Sequence, residues 1–247
     1  ATLLGLYLIV TKRLSRDLFF KPWRYLILGG IYSIYFVFMF IALRYTSTIS
    51  TSAIFALMPF ATLILDSMIF NKKSHSLIWL ALCISSVGAL YIVFDGSLIN
   101  ALNFKLDFGE LIFLIGTIVY SSYALFQPRL NFGENLLITT FGVLTAGTLI
   151  LAMSIIIQGL DFTPTNISIG LVFLIIYLAI FASIGTILCL NFASSRIPGT
   201  NVMAYSLLIP FLVLMFETFT KDSFALAYSY VGIIPIGIVL LLLYRYS

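Results

Sequence analysis

Long uncharged runs separated by short charged segments constrain this fold more than any other feature of the sequence. A helix needs about 20 apolar residues to span the hydrocarbon core of a bilayer. Hydrophobic residues make up 62% of the chain and charged residues 9%, which is far from the balance of a soluble domain. The sequence therefore predicts an all-α polytopic membrane protein. Nine apolar segments, the first too short to span, cover residues 1–10, 25–43, 49–70, 77–94, 108–127, 136–157, 167–192, 200–219 and 224–244.

Cationic residues are distributed unevenly between the two ends of these segments. If successive segments cross in alternate directions, ten Lys and Arg residues fall on one side, and Arg44, Lys105 and Lys221 fall on the other. The richer side is expected to face the cytoplasm, and the C-terminus lies on that side. We therefore predict a bacterial inner-membrane protein whose partners are the lipid bilayer and a small-molecule substrate. The net charge of +4 then needs no nucleic acid to explain it, and a homodimer is left open.

An internal repeat relates two parts of the chain at a constant offset of 151 residues. Leu57–Phe60 (Leu-Met-Pro-Phe) aligns with Leu208–Phe211 (Leu-Ile-Pro-Phe), and Asp66 aligns with Glu217. The copies lie five segments apart, and an odd number reverses the direction of crossing, so the repeat is inverted. We therefore divide the membrane domain into a first repeat, residues 1–100, and a second, residues 101–247. The second repeat has five segments and the first has four, so a further N-terminal helix is expected in a ten-helix protein.

Several motifs, in their order and spacing, resemble the EamA-type branch of the drug/metabolite transporter superfamily. They are A-L-x-Y-T-S-x-x-x-x-S-A-x-x-x-L-x-P at Ala42 to Pro59, N-K-K from Asn71, G-E-L-I-F-L-I-G-T-I-V-Y-S-S-Y-A-L at Gly109 to Leu125, and the second proline segment ending at Glu217. The resemblance implies ten helices in two inverted five-helix halves around a central cavity. Residues 25–43, 49–70, 167–192 and 200–219 would line that cavity.

The sequence contains few groups that perform chemistry. Its one histidine, His75, lies in a basic loop, and no Ser-His-Asp set or phosphate-binding glycine loop can be assembled. Cys83 and Cys189 lie inside apolar segments, which indicates neither a disulfide framework nor a metal site. We therefore expect no enzyme activity, no cofactor and no metal. A non-transporting structural or regulatory membrane protein, or a lipid-modifying enzyme, is the alternative.

Polar and aromatic side chains within the predicted spans are the candidates for a substrate site. Buried hydroxyl and amide groups need partners in lipid, so they are expected to face protein or a wet cavity. Packing between helices explains any one of them equally well, but a carrier needs some polar groups amid apolar walls. The candidate substrate-binding residues are Tyr32, Tyr35, Phe36, Met39, Tyr120, Tyr123, Asn191 and Tyr205.

Pro59 and Pro210 lie at equivalent positions near the middle of their segments. Proline removes a helical hydrogen bond and clashes with the preceding turn, so both segments are predicted to kink. The pair is a candidate hinge for alternating access, and a static kink that shapes packing is the alternative. Asp66 and Glu217 lie near the ends of the same segments and are candidate gate residues or interfacial anchors.

Charges are absent from the middle of every predicted span. A proton-coupled carrier usually keeps a titratable group at that depth. The sequence therefore predicts a facilitator or exchanger that works by alternating access. Its expected cargo is a small organic metabolite, such as an amino acid or another neutral, zwitterionic or aromatic solute, and export is the expected direction.

Overall fold

All regular elements of the computed structural model are helical within the residues that the structure describes. These residues are 1–12, 21–72, 76–94, 97, 99, 102–103, 106–157, 168–221 and 234–241, with the backbone alone at 48–49, 214 and 217–221. The helices are α1 (Thr2–Val10), α2 (Trp23–Ala42), α3 (Thr48–Phe55), α4 (Met58–Phe70), α5 (Ser76–Val93), α6 (Phe108–Leu130), α7 (Leu136–Ile157), α8 (Ile169–Tyr177), a π-helix (Leu178–Gly185), α9 (Thr186–Ser194), α10 (Gly199–Ala204), a 3-10 helix (Tyr205–Leu208), α11 (Ile209–Lys221) and α12 (234–241).

Membrane-spanning helices occur where the apolar runs predict them. Within the described residues, six helical stretches are long and apolar enough to cross a bilayer, so the all-α polytopic prediction is confirmed and the chain is an integral membrane protein. The last predicted segment, 224–244, lies partly outside the described residues. The six stretches are Trp23–Ala42, Ser50–Phe70, Ser76–Val93, Phe108–Leu130, Leu136–Ile157 and Ile169–Ser194.

Two compact units make up the chain. Unit 1 contains Ala1–Ile34 and Phe126–Arg196, and unit 2 contains Tyr35–Leu125 and Ile197–Ser247. Helices α2 and α6 each contribute residues to both units, and each unit contains parts of both sequence repeats. The division into repeats at residue 100 concerns internal symmetry rather than compactness, and it stays a prediction.

Both proline-bearing segments are interrupted at equivalent positions in unit 2. Shifted by 151, the bounds of α3 and α4 become 199–206 and 209–221, which match α10 with the start of the 3-10 helix, and α11. Helix α10 packs against α4, and α11 packs against α3, as expected for two copies around a two-fold axis. The Ser206 hydroxyl donates to the carbonyl of Phe55 at 3.4 Å, and these positions are themselves 151 apart. A residue that contacts its own counterpart lies beside the axis, which supports the predicted repeat.

Both prolines lie in the first turn of the helix that follows the interruption, so the predicted kinks coincide with breaks in the regular α-helix. Pro59 lies in the first turn of α4, where a backbone N–H has no intrahelical partner in any case. Hydroxyl groups satisfy the carbonyls near the break: Ser86 donates to Ala56 at 3.1 Å, and Thr62 donates to Met58 at 2.9 Å. Side chains within unit 2 therefore satisfy these backbone carbonyls at the break.

Close approach of α2 and α7 organises unit 1. A Cβ on Gly29 would lie 2.7 Å from both the backbone nitrogen of Gly147 and the carbonyl oxygen of Val143, so glycine alone fits there. The Ser33 hydroxyl donates to the Gly147 carbonyl at 3.2 Å and holds the two helices at this distance. A Cβ on the neighbouring Gly30 would meet one side-chain atom, at 3.7 Å, which is ordinary contact.

Candidate substrate site

Aromatic side chains from α2, α3 and α6 meet inside unit 2. The rings of Tyr35 and Tyr120 are stacked, with centroids 4.4 Å apart and planes inclined by 23°. Phe55 meets Tyr35 edge-on at 6.2 Å and meets Phe113 at 5.4 Å. Tyr123 lies 6.4 Å from Tyr120. These five residues form what we name the aromatic cluster.

The cluster lies near the middle of two membrane-spanning helices. Tyr35 and Tyr120 each follow the first residue of their helix by twelve positions, which is about 18 Å at 1.5 Å per residue. Gly116, one turn before Tyr120, lets the helices approach, since a Cβ there would lie 2.9 Å from the Cβ of Phe38. Both tyrosine rings are buried, at 6% and 9% exposure.

Two more of the predicted residues border the cluster. Phe36 packs against Tyr35 with centroids 5.4 Å apart, and Met39 packs against the small core that contains Phe113. The structure therefore brings together Tyr35, Phe36, Met39, Tyr120 and Tyr123 in unit 2. Phe55 and Phe113 were not among the sequence candidates because a phenylalanine in an apolar span carries no signal beyond hydrophobicity.

The remaining candidates lie elsewhere. In unit 1, the Tyr32 hydroxyl donates to the carbonyl of Ala182 in the π-helix at 3.4 Å. Asn191, in the same unit, donates from Nδ2 to the Thr140 hydroxyl at 3.1 Å. Tyr205 in unit 2 is 49% exposed, whereas the two stacked tyrosines are buried. A substrate-contacting role for these three residues stays a prediction.

Asp66 has a cationic neighbour at the end of α4. Its Oδ2 lies 3.9 Å from Nζ of Lys72, and the Asp66 side chain is 5% exposed, whereas that of Lys72 is 55% exposed. This pairing fits an anchor at a helix end, where charge is tolerated. The side chain of Glu217 lies outside the described residues, so the choice between gate and anchor stays open for the pair.

A buried ion pair in unit 1 escaped the sequence reasoning. Arg24 at the start of α2 is fully buried, pairs with Glu134, and donates to the carbonyl of Leu130 at 3.2 Å. Its guanidinium lies 4.9 Å from the ring centroid of Tyr25 and 4.8 Å from that of Phe132. The charge therefore joins the start of α2 to the end of α6 and the α6–α7 turn. In the sequence, an arginine beside aromatic residues at the start of a helix is the feature that could have indicated this site.

A second buried carboxylate fastens the turn between α2 and α3. Glu110 in the first turn of α6 accepts a hydrogen bond from the Thr46 hydroxyl, and it is 7% exposed. The preceding Gly109 lies against this turn, since a Cβ there would be 2.9 Å from the carbonyl carbon of Tyr45. A negative charge at a helix N-terminus is also electrostatically favourable. These contacts hold the turn against α6 within unit 2.

The described residues contain no group of three or more His, Cys, Asp and Glu side chains suited to a metal ion. Cys83 and Cys189 are both free and exposed. The aromatic cluster offers ring faces and hydroxyl groups, and such groups bind ligands by stacking and hydrogen bonding.

Known proteins resemble the chain in sequence and in fold. Residues 1–94 match the EamA-like transporter family. The uncharacterized transporter YyaM of Bacillus subtilis (strain 168) is 24% identical over 193 residues, which cover 77% of this chain and 63% of YyaM. A crystal structure of another protein shares the fold with a TM-score of 0.70 and 16% identity, and the match covers 98% of this chain and 84% of that one.

The chain thus spans less than two thirds of the length of YyaM. Both sequence likenesses support a membrane transporter in general terms. The predicted resemblance is confirmed, since the first 94 residues match the EamA-like transporter family.

Proposed function

We propose that the protein is a secondary transporter that moves small organic solutes across a bacterial inner membrane by alternating access. The main support for this proposal is the aromatic cluster, which lies midway along α2 and α6. Transporter sites typically lie near the bilayer midplane beside discontinuous helices. The segments broken before Pro59 and Pro210 belong to the same unit as the cluster.

The composition of the cluster favours neutral, zwitterionic or aromatic solutes. Its five residues offer flat apolar faces and three hydroxyl groups, but no charge. Tyr35 and Tyr120 stack on each other here, so the cluster is closed. An aromatic pair contributes about 0.5–1.5 kcal/mol beyond its burial, so a solute ring that replaces one face recovers most of that energy. Stacking by such a solute therefore offsets part of the free-energy cost of opening the cluster.

Orientation and coupling are proposed from the distribution of charge along the sequence. We propose an exporter with its C-terminus on the cytoplasmic side, where Lys and Arg are more numerous. It acts as a facilitator or exchanger, because the middle of the predicted spans carries no Asp, Glu, Lys, Arg or His. Uphill uptake driven by a pH gradient in proteoliposomes would refute this coupling and leave the carrier function intact.

A screen followed by flux measurement tests the function. The purified protein is heated with a metabolite library, and solutes that raise its Tm are assayed for counterflow in proteoliposomes. We expect Tyr120→Leu to abolish both the Tm shift and the flux, since it removes one face of the stack and a hydroxyl. Tyr7→Leu in α1, where the ring is 47% exposed, is the matched control and leaves both unchanged. Wild-type counterflow by Tyr120→Leu, or no stabilising solute at all, would contradict the proposal.

A further inference from the structure

Unit 1 contains a buried amide that no described residue satisfies. Gln127 in the last two turns of α6 is 0% exposed, and neither its Oε1 nor its Nε2 has a hydrogen-bond partner among the described residues. Ser194 at the end of α9 is 3% exposed, and its hydroxyl is in the same situation. Burying such groups without partners costs stability, and each instance in a native structure calls for a specific reason.

Gln127 lies in the layer of unit 1 where helix ends meet. It precedes Leu130 by about one turn, and the Leu130 carbonyl accepts a hydrogen bond from Arg24 at the start of α2. The adjacent Tyr25 lies against α7, since a Cβ on Gly142 would be 2.7 Å from its ring. The end of α6, the start of α2 and the start of α7 therefore lie at one level.

Ser194 lies close to the same level, because Asn191 on the same helix contacts α7 near its start. Asn191, one turn before Ser194 on α9, donates to the hydroxyl of Thr140 in the second turn of α7 at 3.1 Å. Thr140 in turn donates to the carbonyl of Leu136 at 2.8 Å. Thr140 is therefore engaged within the protein as donor and acceptor, whereas the side-chain polar atoms of Gln127 and Ser194 have no hydrogen-bond partner among the described residues.

The buried charge described at this level is paired. Arg24, which donates to the Leu130 carbonyl three residues after Gln127, forms an ion pair with Glu134. A carboxamide presents acceptor and donor atoms in one plane, so it forms two parallel hydrogen bonds with a partner edge that carries a donor beside an acceptor. A carboxylate or an ammonium group offers one type of atom alone and would leave half of the amide unpaired.

We propose that Gln127 is a substrate-binding residue that pairs with a donor–acceptor edge of the transported solute, such as a carboxamide or a nucleobase. The Ser194 hydroxyl offers a further hydrogen bond at the same level. This inference rests on the proposed transport function and gives it a substrate class. It also adds a polar subsite to unit 1.

The variant Gln127→Leu tests whether the Gln127 amide binds the solute or stabilises the fold. Leucine removes both polar atoms at similar volume, so the solute-free variant should have a Tm equal to or above that of the wild type. Thr148→Val is the control, since its hydroxyl bonds to the Leu144 carbonyl of its own helix and shifts neither stability nor binding. A clear fall in the Tm of Gln127→Leu would show that the amide has a structural partner, and the proposal would be wrong.

Solute binding supplies the second readout. The probes are L-glutamine, nicotinamide and adenine, with L-phenylalanine as a solute that lacks a carboxamide or nucleobase edge. We expect at least one of the first three to raise the Tm of the wild type and to bind Gln127→Leu about tenfold more weakly, the loss of one net hydrogen bond. Stabilisation by L-phenylalanine alone, or equal binding to both proteins, would overturn the proposal. If no solute of the wider library stabilises the wild type, the transport function itself fails.

Discussion

Truncating Glu134 to alanine leaves a guanidinium buried without its counter-charge. Arg24 has 0% and Glu134 has 5% of its side chain exposed, so water does not replace the lost partner. Removing one member of such a pair costs about 3–5 kcal/mol. The Leu130 carbonyl and two aromatic rings still contact the guanidinium, so we expect the lower end of that range, about 3 kcal/mol.

Replacing both charges should cost far less than removing one. In Arg24→Met combined with Glu134→Leu, apolar side chains of similar volume occupy the site and no charge stays buried. Such replacements are often neutral or stabilising, but here the Leu130 carbonyl also loses its donor. We expect the double variant to lie within about 1 kcal/mol of the wild type, which makes the two substitutions strongly non-additive.

Unfolding by SDS titration in mixed micelles, followed by circular dichroism, measures these free energies. Arg196→Met is the matched control, because Arg196 lies exposed over the ring of Phe192 at 3.6 Å and its loss should change stability by less than about 0.5 kcal/mol. A cost below about 1 kcal/mol for Glu134→Ala, or a double variant no more stable than Glu134→Ala, would refute the assignment of a buried, mutually dependent pair.

Other substitutions test the packing of unit 1 and the proposed hinge. Gly29→Ala should destabilise the protein by about 1–3 kcal/mol, because its Cβ would meet backbone atoms at 2.7 Å, whereas Gly30→Ala should be near neutral; equal effects in the same SDS titration would contradict this reasoning. Pro59→Ala and Pro210→Ala should lower the rate of solute counterflow while changing stability by less than about 1 kcal/mol, since both prolines lie in first turns. Wild-type counterflow rates in both variants would indicate that the prolines start their helices without acting as hinges.

The spans and the repeat register were predictable because they depend on local composition. Apolar runs of the right length place α2, α5 and α7 within a few residues, since a helix satisfies its polar backbone groups internally while its apolar side chains face lipid. The offset of 151 residues likewise placed Pro59 opposite Pro210. The exact form of the interruption was not predictable, because it depends on hydroxyls such as Ser86 that reach the break from another helix.

The polar interior of unit 1 was not predictable for a related reason. A count of positive loops treats Arg24 as one more cytoplasmic charge, and nothing local reveals that Glu134, 110 residues away, is its partner. Gln127 reads as one polar residue near a helix end, and its burial depends on helices that are distant in sequence. Among the aromatic candidates, Tyr35 and Tyr120 came together while Tyr205 did not, because helical spacing gives the face of a helix but not what covers it.

One copy of the repeat contains a π-helix, Leu178–Gly185. The residues 151 positions earlier, 27–34, lie within the regular helix α2. In a carrier made of two identical halves, exchange of their conformations would convert the inward-open state into an outward-open state of equal free energy. A backbone that differs between the halves removes this equality. In the proposed alternating-access transporter, the two empty states are then expected to differ in free energy, and the main chain contributes to that difference together with the side chains.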